Sequence, residues 1–260
     1  MTVTASVPES TQVVRIDCLW PEPGTDLSDE QLLQRFARDD RAAAWLRVNF
    51  ISSIDGAATS AGLSGALGMP ADRRVFALLR RLTDVVLVGA GTVRAEGYGP
   101  MRLDEVDAQW RTAAGLAPHP VFAIVSGRLD LDPASPIFTD APVRPIVVTT
   151  ASSPTDKREA LARVADVLVC GENSLDVDAL RTQLVERGLN QIHCEGGPSL
   201  FGALTAAGAV DELCLTVSPR LEAGDSPRIA SGTLPEPQNM ELGHVLRSDS
   251  ALLLRYVRAS

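Results

Sequence analysis

The chain has 260 residues and carries 33 acidic against 24 basic side chains, a net charge of −9. That balance excludes a protein that neutralises many nucleic-acid phosphates, which takes an excess of Lys and Arg. No apolar run reaches the ~20 residues needed to span a bilayer, and Met1–Ser10 lacks the basic and apolar regions of a secretory signal. A soluble, cytoplasmic enzyme or small-molecule binder is expected, with neither nucleic acid nor membrane as partner. Cys18, Cys170, Cys194 and Cys214 form no CxxC pair and no zinc-type spacing, so reduced structural thiols and no metal site are expected.

Residues 1–44 read as an N-terminal extension, punctuated by Pro21, Pro23 and Gly24. Within it Ser28-Asp29-Glu30-Gln31 forms a capping box ahead of the Leu32, Leu33, Phe36 stripe of a short helix. From Trp45 to the end the chain reads as one domain in which strands alternate with amphipathic helices. Strands are predicted over 46–52, 85–89, 121–125, 145–149, 167–170 and 190–194, and in 85–89, 121–125 and 145–149 a short continuous apolar run marks burial on both faces. Helices are predicted over 72–82, 155–164, 177–187 and 198–207, with Gly188 suited to the left-handed position after the third of them. After Gly208 come strands over 211–218, 241–247 and 252–258 with no helix between them. The pattern implies an α/β fold in three layers, a mostly parallel central sheet with antiparallel C-terminal strands.

In open α/β sheets ligands bind beyond the carboxyl ends of the strands. Three glycine-rich loops occupy such places here. In Ser52-Ser53-Ile54-Asp55-Gly56, small residues admit a ligand and Asp55 offers a carboxylate to an amino-substituted heterocycle; Asp-Gly is equally a plain turn dipeptide. Gly89-Ala90-Gly91-Thr92-Val93 ends a buried strand and presents backbone N–H groups to a phosphate, although the third glycine of a dinucleotide fingerprint is Arg94 here. Glu195-Gly196-Gly197-Pro198-Ser199-Leu200 makes an anion cradle at a helix start with a carboxylate beside it, or simply a helix cap with a solvated Glu.

His193-Cys194-Glu195 supplies half of a zinc-deaminase signature, but no PCxxC completes it, and strand alternation sends His193 and Glu195 to one face with Cys194 opposite. With GxSxG and GxxxxGK[ST] both absent, acyl and phosphoryl transfer have no support.

Taken in order, these loops resemble the reductase domain of riboflavin biosynthesis, a member of the dihydrofolate-reductase-like superfamily. The resemblance rests on Ser53-Ile54-Asp55-Gly56, Val88-Gly89-Ala90-Gly91-Thr92-Val93, Glu195-Gly196-Gly197-Pro198-Ser199-Leu200, Asp211-Glu212-Leu213 and Ser218-Pro219-Arg220-Leu221, and spans about 45–258. It is similar to stand-alone forms that lack the deaminase domain. It implies an NADPH-dependent reduction of a phosphoribosylaminopyrimidine to a ribitylamino product, a homodimer, and the following site residues. The cofactor would be bound by Ile51, Gly89, Thr92, Val93, Glu96, Ser126, Thr149 and Gly196, Gly197, Pro198, Ser199 and Leu200. Thr149 enters on position rather than motif. Asn49, Ser64, Arg80, Arg102 and Glu195 would bind the substrate, with the two arginines on its phosphate. Asp55 and Glu195 are the carboxylates expected to handle the proton. The chain departs from the family at Ala57, where a basic residue is usual, and at Asn49, where many bacterial members carry Lys. Two other readings stay open: reduction of dihydrofolate or another pterin, and a non-catalytic NADP-binding module.

Overall fold

Short aliphatic runs bounded by turn residues pair into one sheet because neither face of such a run tolerates water. A computed structural model describes residues 14–234 and 236–259; Met1–Ser10, read above for a signal, lie outside the described residues. The elements are β1 (Asp17–Trp20), α1 (Asp29–Phe36), β2 (Trp45–Ser53), α2 (Pro70–Arg81), β3 (Val85–Gly89), α3 (Ala90–Glu96), α4 (Glu105–Ala113), β4 (Val121–Val125) and α5 (Pro136–Thr139). They continue with β5 (Ile146–Thr149), α6 (Thr155–Ala162), β6 (Asp166–Val169), α7 (Val177–Val185), β7 (Gln191–Cys194), α8 (Pro198–Ala206), β8 (Glu212–Ser218), β9 (Met240–Ser248) and β10 (Ala251–Arg258).

The ten strands run in the order β1-β9-β10-β8-β2-β7-β3-β4-β5-β6. Neighbours from β8 through β2 to β6 are parallel, while β8, β10, β9 and β1 pair antiparallel. Leu46, Val48, Leu87 and Cys194 face α7 and α8 on one side of the sheet. On the other side Val86, Val88 and Ile124 meet α3 and α6, while Cys214, Leu246 and Leu253 meet α1 and α2. The three-layer, mostly parallel arrangement with an antiparallel C-terminal edge is thus the one the sequence pattern implied.

The described part of the 1–44 segment joins this sheet and core. Strand β1 pairs with β9, and Leu32, Leu33 and Phe36 pack beside Ala71, Val75 and Leu78 of α2. The capping box is formed: Ser28 Oγ accepts from Gln31 N at 3.2 Å and Gln31 Oε1 accepts from Ser28 N at 2.9 Å. Helix α4 escapes the hydrophobic pattern because it buries Asp107 and Arg111 rather than an apolar stripe. Arg111 donates to the carbonyls of Arg81 (2.8 Å) and Ala117 (2.8 Å), satisfying its buried guanidinium.

Register places the site. Val48 lies beside Cys194, and Cys194 beside Leu87, so the loops leaving β2, β7 and β3 emerge together.

Candidate active site

The second and third glycine loops are lashed to each other. Gly89 N–H donates to the Gly196 carbonyl at 2.8 Å. Gly196 has φ +108°, a region closed to most side chains, and a Cβ there would press on the Phe50 ring at 3.2 Å. A Cβ on Gly197 would collide with Thr92 Oγ1. Pro198 then opens α8, where a missing N–H costs nothing and φ is already set for a helix.

These loops floor a cleft of about 570 Å³, lined among others by Asn49, Phe50, Ile51, Ser64, Asp72, Arg73, Phe76, Arg80, Thr92, Glu96, Tyr98, Glu195 and Gly196. A groove of about 450 Å³ adjoins it and shares Gly91, Thr92, Gly197 and Pro198. Gly89, Val125, Leu175, Ser199 and Leu200 also line that groove, and among the described residues no charged side chain does. A cleft continued by an uncharged, glycine-walled groove at a helix start fits a ligand whose phosphates are held by backbone N–H groups.

At the inner wall Glu195 is fully buried and held on three sides. Arg80 Nε and Nη2 donate to its two oxygens at 2.6 and 2.7 Å, and the Tyr98 hydroxyl donates at 3.0 Å. Burial opposes the carboxylate charge, but the Arg80 guanidinium outweighs it and holds Glu195 below the usual carboxylate range. Burial and the same carboxylate push the Tyr98 phenol up, so it stays a donor. Behind Glu195, His193 is pressed down to about 4 by burial, and its Nε2 lies 3.6 Å from Glu195 Oε1. The neutral ring leaves the charge on Glu195 to Arg80. Across the cleft Asp72 is raised by burial, with Thr216 and Arg73 acting the other way. Arg73 forms no ion pair among the described residues, whereas Arg80 is paired with Glu195 through Nε and Nη2.

The RibD C-terminal domain family matches residues 44–254. The chain belongs to the RibD C-terminal domain family. It is 29% identical over 190 residues to the 2,5-diamino-6-ribosylamino-4(3H)-pyrimidinone 5′-phosphate reductase of Archaeoglobus fulgidus, covering 71% of this chain and 85% of that protein. To the riboflavin biosynthesis protein RibD of Escherichia coli it is 29% identical over 215 residues, 79% of this chain and 56% of that protein. The chain therefore spans little more than half of that relative. A pyrimidine reductase-like protein of Corynebacterium diphtheriae superposes with a TM-score of 0.80 at 26% identity, covering 90% of this chain and 100% of that one.

The structure gathers most of the residues expected of a RibD-type site. Asn49, Ile51, Ser64, Arg80, Thr92, Glu96 and Glu195–Pro198 line the cleft, and Gly89, Ser199 and Leu200 line the groove. Ser64 and Glu96 also hold each other, the Ser64 N–H and hydroxyl each 2.8 Å from Glu96 Oε1. Five expected residues lie elsewhere. Asp55 turns outward, where its carboxylate accepts from the backbone N–H of Ala223 at 2.7 Å, so it does not face the cleft. Arg102 is exposed and donates to the Asp140 carbonyl at 2.9 Å. Val93 is core, packed with Val86 and Ile124. Ser126 Oγ accepts from Leu129 N at 3.0 Å, capping its own turn, and Thr149 is buried at the end of β5. Neither touches the cleft or the groove.

Sequence reasoning passed over Phe50, Asp72, Arg73 and Tyr98. The helix start at Pro70 was the available signal for two of them. A helix entering from the cleft presents the side chains of its first turn to it, and Asp72 and Arg73 sit there.

Proposed function

We propose that this chain catalyses the NADPH-dependent reduction of a phosphoribosylaminopyrimidine to its ribitylamino product. The observation that carries the reading is the continuity of the cleft, walled by Glu195 and Arg80, with the uncharged groove between Gly89 and α8. The names of the Archaeoglobus and Escherichia relatives support it. NADPH, when bound, supplies a hydride from its nicotinamide ring. Gly89, Thr92, Gly197, Ser199 and Leu200 suit its phosphates, since the groove needs no cationic side chain where a helix N-terminus already concentrates N–H donors.

Reduction of the ribosyl carbon consumes one proton as well as the hydride, because the ribose ring oxygen leaves as a hydroxyl. Asp55 is too far out to deliver it, and Glu195 is held as an anion by Arg80. Asp72, kept toward its protonated form by burial and facing the cleft, is the acid of this reading. Glu195 and Tyr98 fix the substrate's polar edge, and Arg73 with Ser64 meets its phosphate. Steady-state NADPH oxidation with the phosphoribosylaminopyrimidine tests the proposal. Turnover of that substrate supports it, and its absence overturns it.

One observation favours a second reading, reduction of a pterin. Arg80 is committed to Glu195 and Arg102 faces away, so neither arginine assigned to a sugar phosphate extends freely into the cleft. A pterin offers the same aminopyrimidine edge without a phosphate. Efficient dihydrofolate turnover, with none of the phosphoribosylaminopyrimidine, would decide for it.

We also propose a homodimer through the outer face of the antiparallel strands. Leu254 lies between Leu215 and Val245 there, and Leu252 and Leu242 are each 37% exposed. Sedimentation of Leu254→Glu as a monomer, with the parent a dimer, is the expected result. Among the described residues no helix is long and apolar enough to cross a membrane.

A further inference from the structure

Among the described residues the segment between β8 and β9 contains neither helix nor strand from 219 to 239, yet it reaches the cleft, which Pro227 helps to line. Its position therefore depends on anchors rather than on regular structure. On one side it is tied to the loop after β2. Ile54 N–H donates to the Arg220 carbonyl (2.9 Å), Ala58 N–H to the Pro227 carbonyl (2.8 Å), and the Ser226 hydroxyl to the Thr59 carbonyl (2.8 Å). On the other side Ser231 N–H donates to the Pro198 carbonyl at 3.0 Å, and the Ser231 carbonyl sits where a Cβ on Gly202 would be. The strap thus joins the substrate end of the cleft to the helix that forms the groove.

One anchor differs in kind from the others. The chain turns sharply there, Ala223 and Gly224 both having positive φ, 53° and 66°, and the successive N–H groups of Glu222 and Ala223 point to Asp55. The Asp55 carboxylate accepts from Ala223 N at 2.7 Å and from Glu222 N at 3.2 Å, while the Ser53 hydroxyl donates to its other side. A charged acceptor makes this a charge-assisted tie, as is the one from Arg220 Nη1 to the Ala66 carbonyl at 3.0 Å. The strap also carries little apolar packing near that point, since Leu221 is 78% exposed.

We infer that Asp55 is a positioning residue: by tethering the strap at 222–223 it holds Pro227 and Thr59 against the cleft and so sets affinity for the substrate. It touches no reacting atom. The kinetic part of this inference rests on the proposed reduction, whereas the tether itself does not.

The test compares Asp55→Ala, Asp55→Asn and Ser226→Ala in the full chain by hydrogen exchange and by steady-state kinetics with the phosphoribosylaminopyrimidine. In Asp55→Ala the amides of 222–223 should exchange about tenfold faster, since their acceptor is gone. The substrate KM should rise about tenfold with kcat changed less than about threefold, a loss of uniform binding. Asp55→Asn, which keeps one acceptor oxygen, should fall between parent and Ala. Ser226→Ala loosens the same strap elsewhere and should raise KM about threefold without a kcat effect, which covers the case in which Asp55→Ala misfolds. Unchanged exchange at 222–223 in Asp55→Ala overturns the tether. A hundredfold kcat loss at constant KM overturns the positioning role, because it would mark a reacting group. If the parent turns over no pyrimidine, the proposed reaction fails, and the exchange result still decides the tether.

Discussion

Arg80 and Glu195, 115 residues apart in sequence, form a two-pronged ion pair at the inner wall of the cleft, with N–O distances of 2.6 and 2.7 Å. The carboxylate is wholly inaccessible and the guanidinium 23% exposed, so one partner depends on the other for its charge. A pair of this kind adds little net stability but is expensive to break from one side.

Arg80→Ala should therefore lower stability by about 3 kcal/mol at neutral pH, the low end for a buried pair because Arg80 is partly wet. The pH dependence should also reverse. In the parent, Glu195 is held below its ordinary value, so its contribution is present above pH ~4.3 and fades as pH falls through the folded value. Without Arg80, burial dominates and raises Glu195, so the variant loses stability as pH rises. Thermal melts from about pH 5 to pH 8 check this: parent and variant curves should diverge toward high pH, and parallel curves would contradict it.

The glycine cradle makes a steric prediction. Gly197→Ala puts a methyl group onto Thr92 Oγ1 at the junction of cleft and groove. NADPH affinity, read by fluorescence titration, should fall by about a hundredfold, equivalent to ~2.7 kcal/mol. Adding Thr92→Ala removes the collision and should recover the melting temperature. It should not recover full affinity, because Thr92 itself lines the groove.

How much of this was legible beforehand follows from what each residue answers to. Strands β3, β4 and β5 were readable because burial on both faces demands near-continuous apolar residues. The loops at Gly89 and Gly196 were readable because close backbone approach and positive φ leave glycine as the usual choice. Asp55 carried two readings, and the turn reading is the one realised: Gly56 takes φ +90° and the carboxylate points outward to amides 167 and 168 residues away. No local pattern announces such a partner. Tyr98 and Asp72 were hidden for a related reason. Their role comes from which wall of a cleft a helix end faces, and that is set by packing rather than by spacing. Arg102 shows the converse error: its side chain is exposed and donates to the Asp140 carbonyl instead of lining the cleft.

Asp72 separates the chemical role from a structural one. Its burial raises the carboxyl, so the free-enzyme kcat/KM should fall as pH climbs through a value above the ordinary ~3.9 for Asp. Asp72→Asn should abolish that limb and lower kcat by about 10²–10³. An acid with a raised folded value favours folding at low pH and opposes it as pH rises. The Asn variant should therefore be at least as stable as the parent at pH 8. A large kcat loss accompanied by a lowered melting temperature would assign Asp72 to the fold instead.

The N-terminal segment gives the last prediction. Ile16, Leu27, Leu32, Leu33 and Phe36 are buried together with residues of α2, and each such side chain contributes about 1.5–3 kcal/mol by leaving water. Phe36 also offers its carbonyl to Arg47 Nη2 at 2.5 Å, where Arg47 is 5% exposed and paired with Glu212. Cutting the chain before Trp45 strips β9 of its neighbour β1, opens the α2 face and leaves that guanidinium short of an acceptor. Ordering the segment costs conformational entropy that offsets part of the gain, so the net effect is best read in two steps. Phe36→Ala should lose about 3–5 kcal/mol in urea unfolding, and the truncated chain should lack a cooperative transition. A truncated protein that unfolds at the parent's midpoint would show instead that the 45–260 domain is stable without the strand and helix now docked on it.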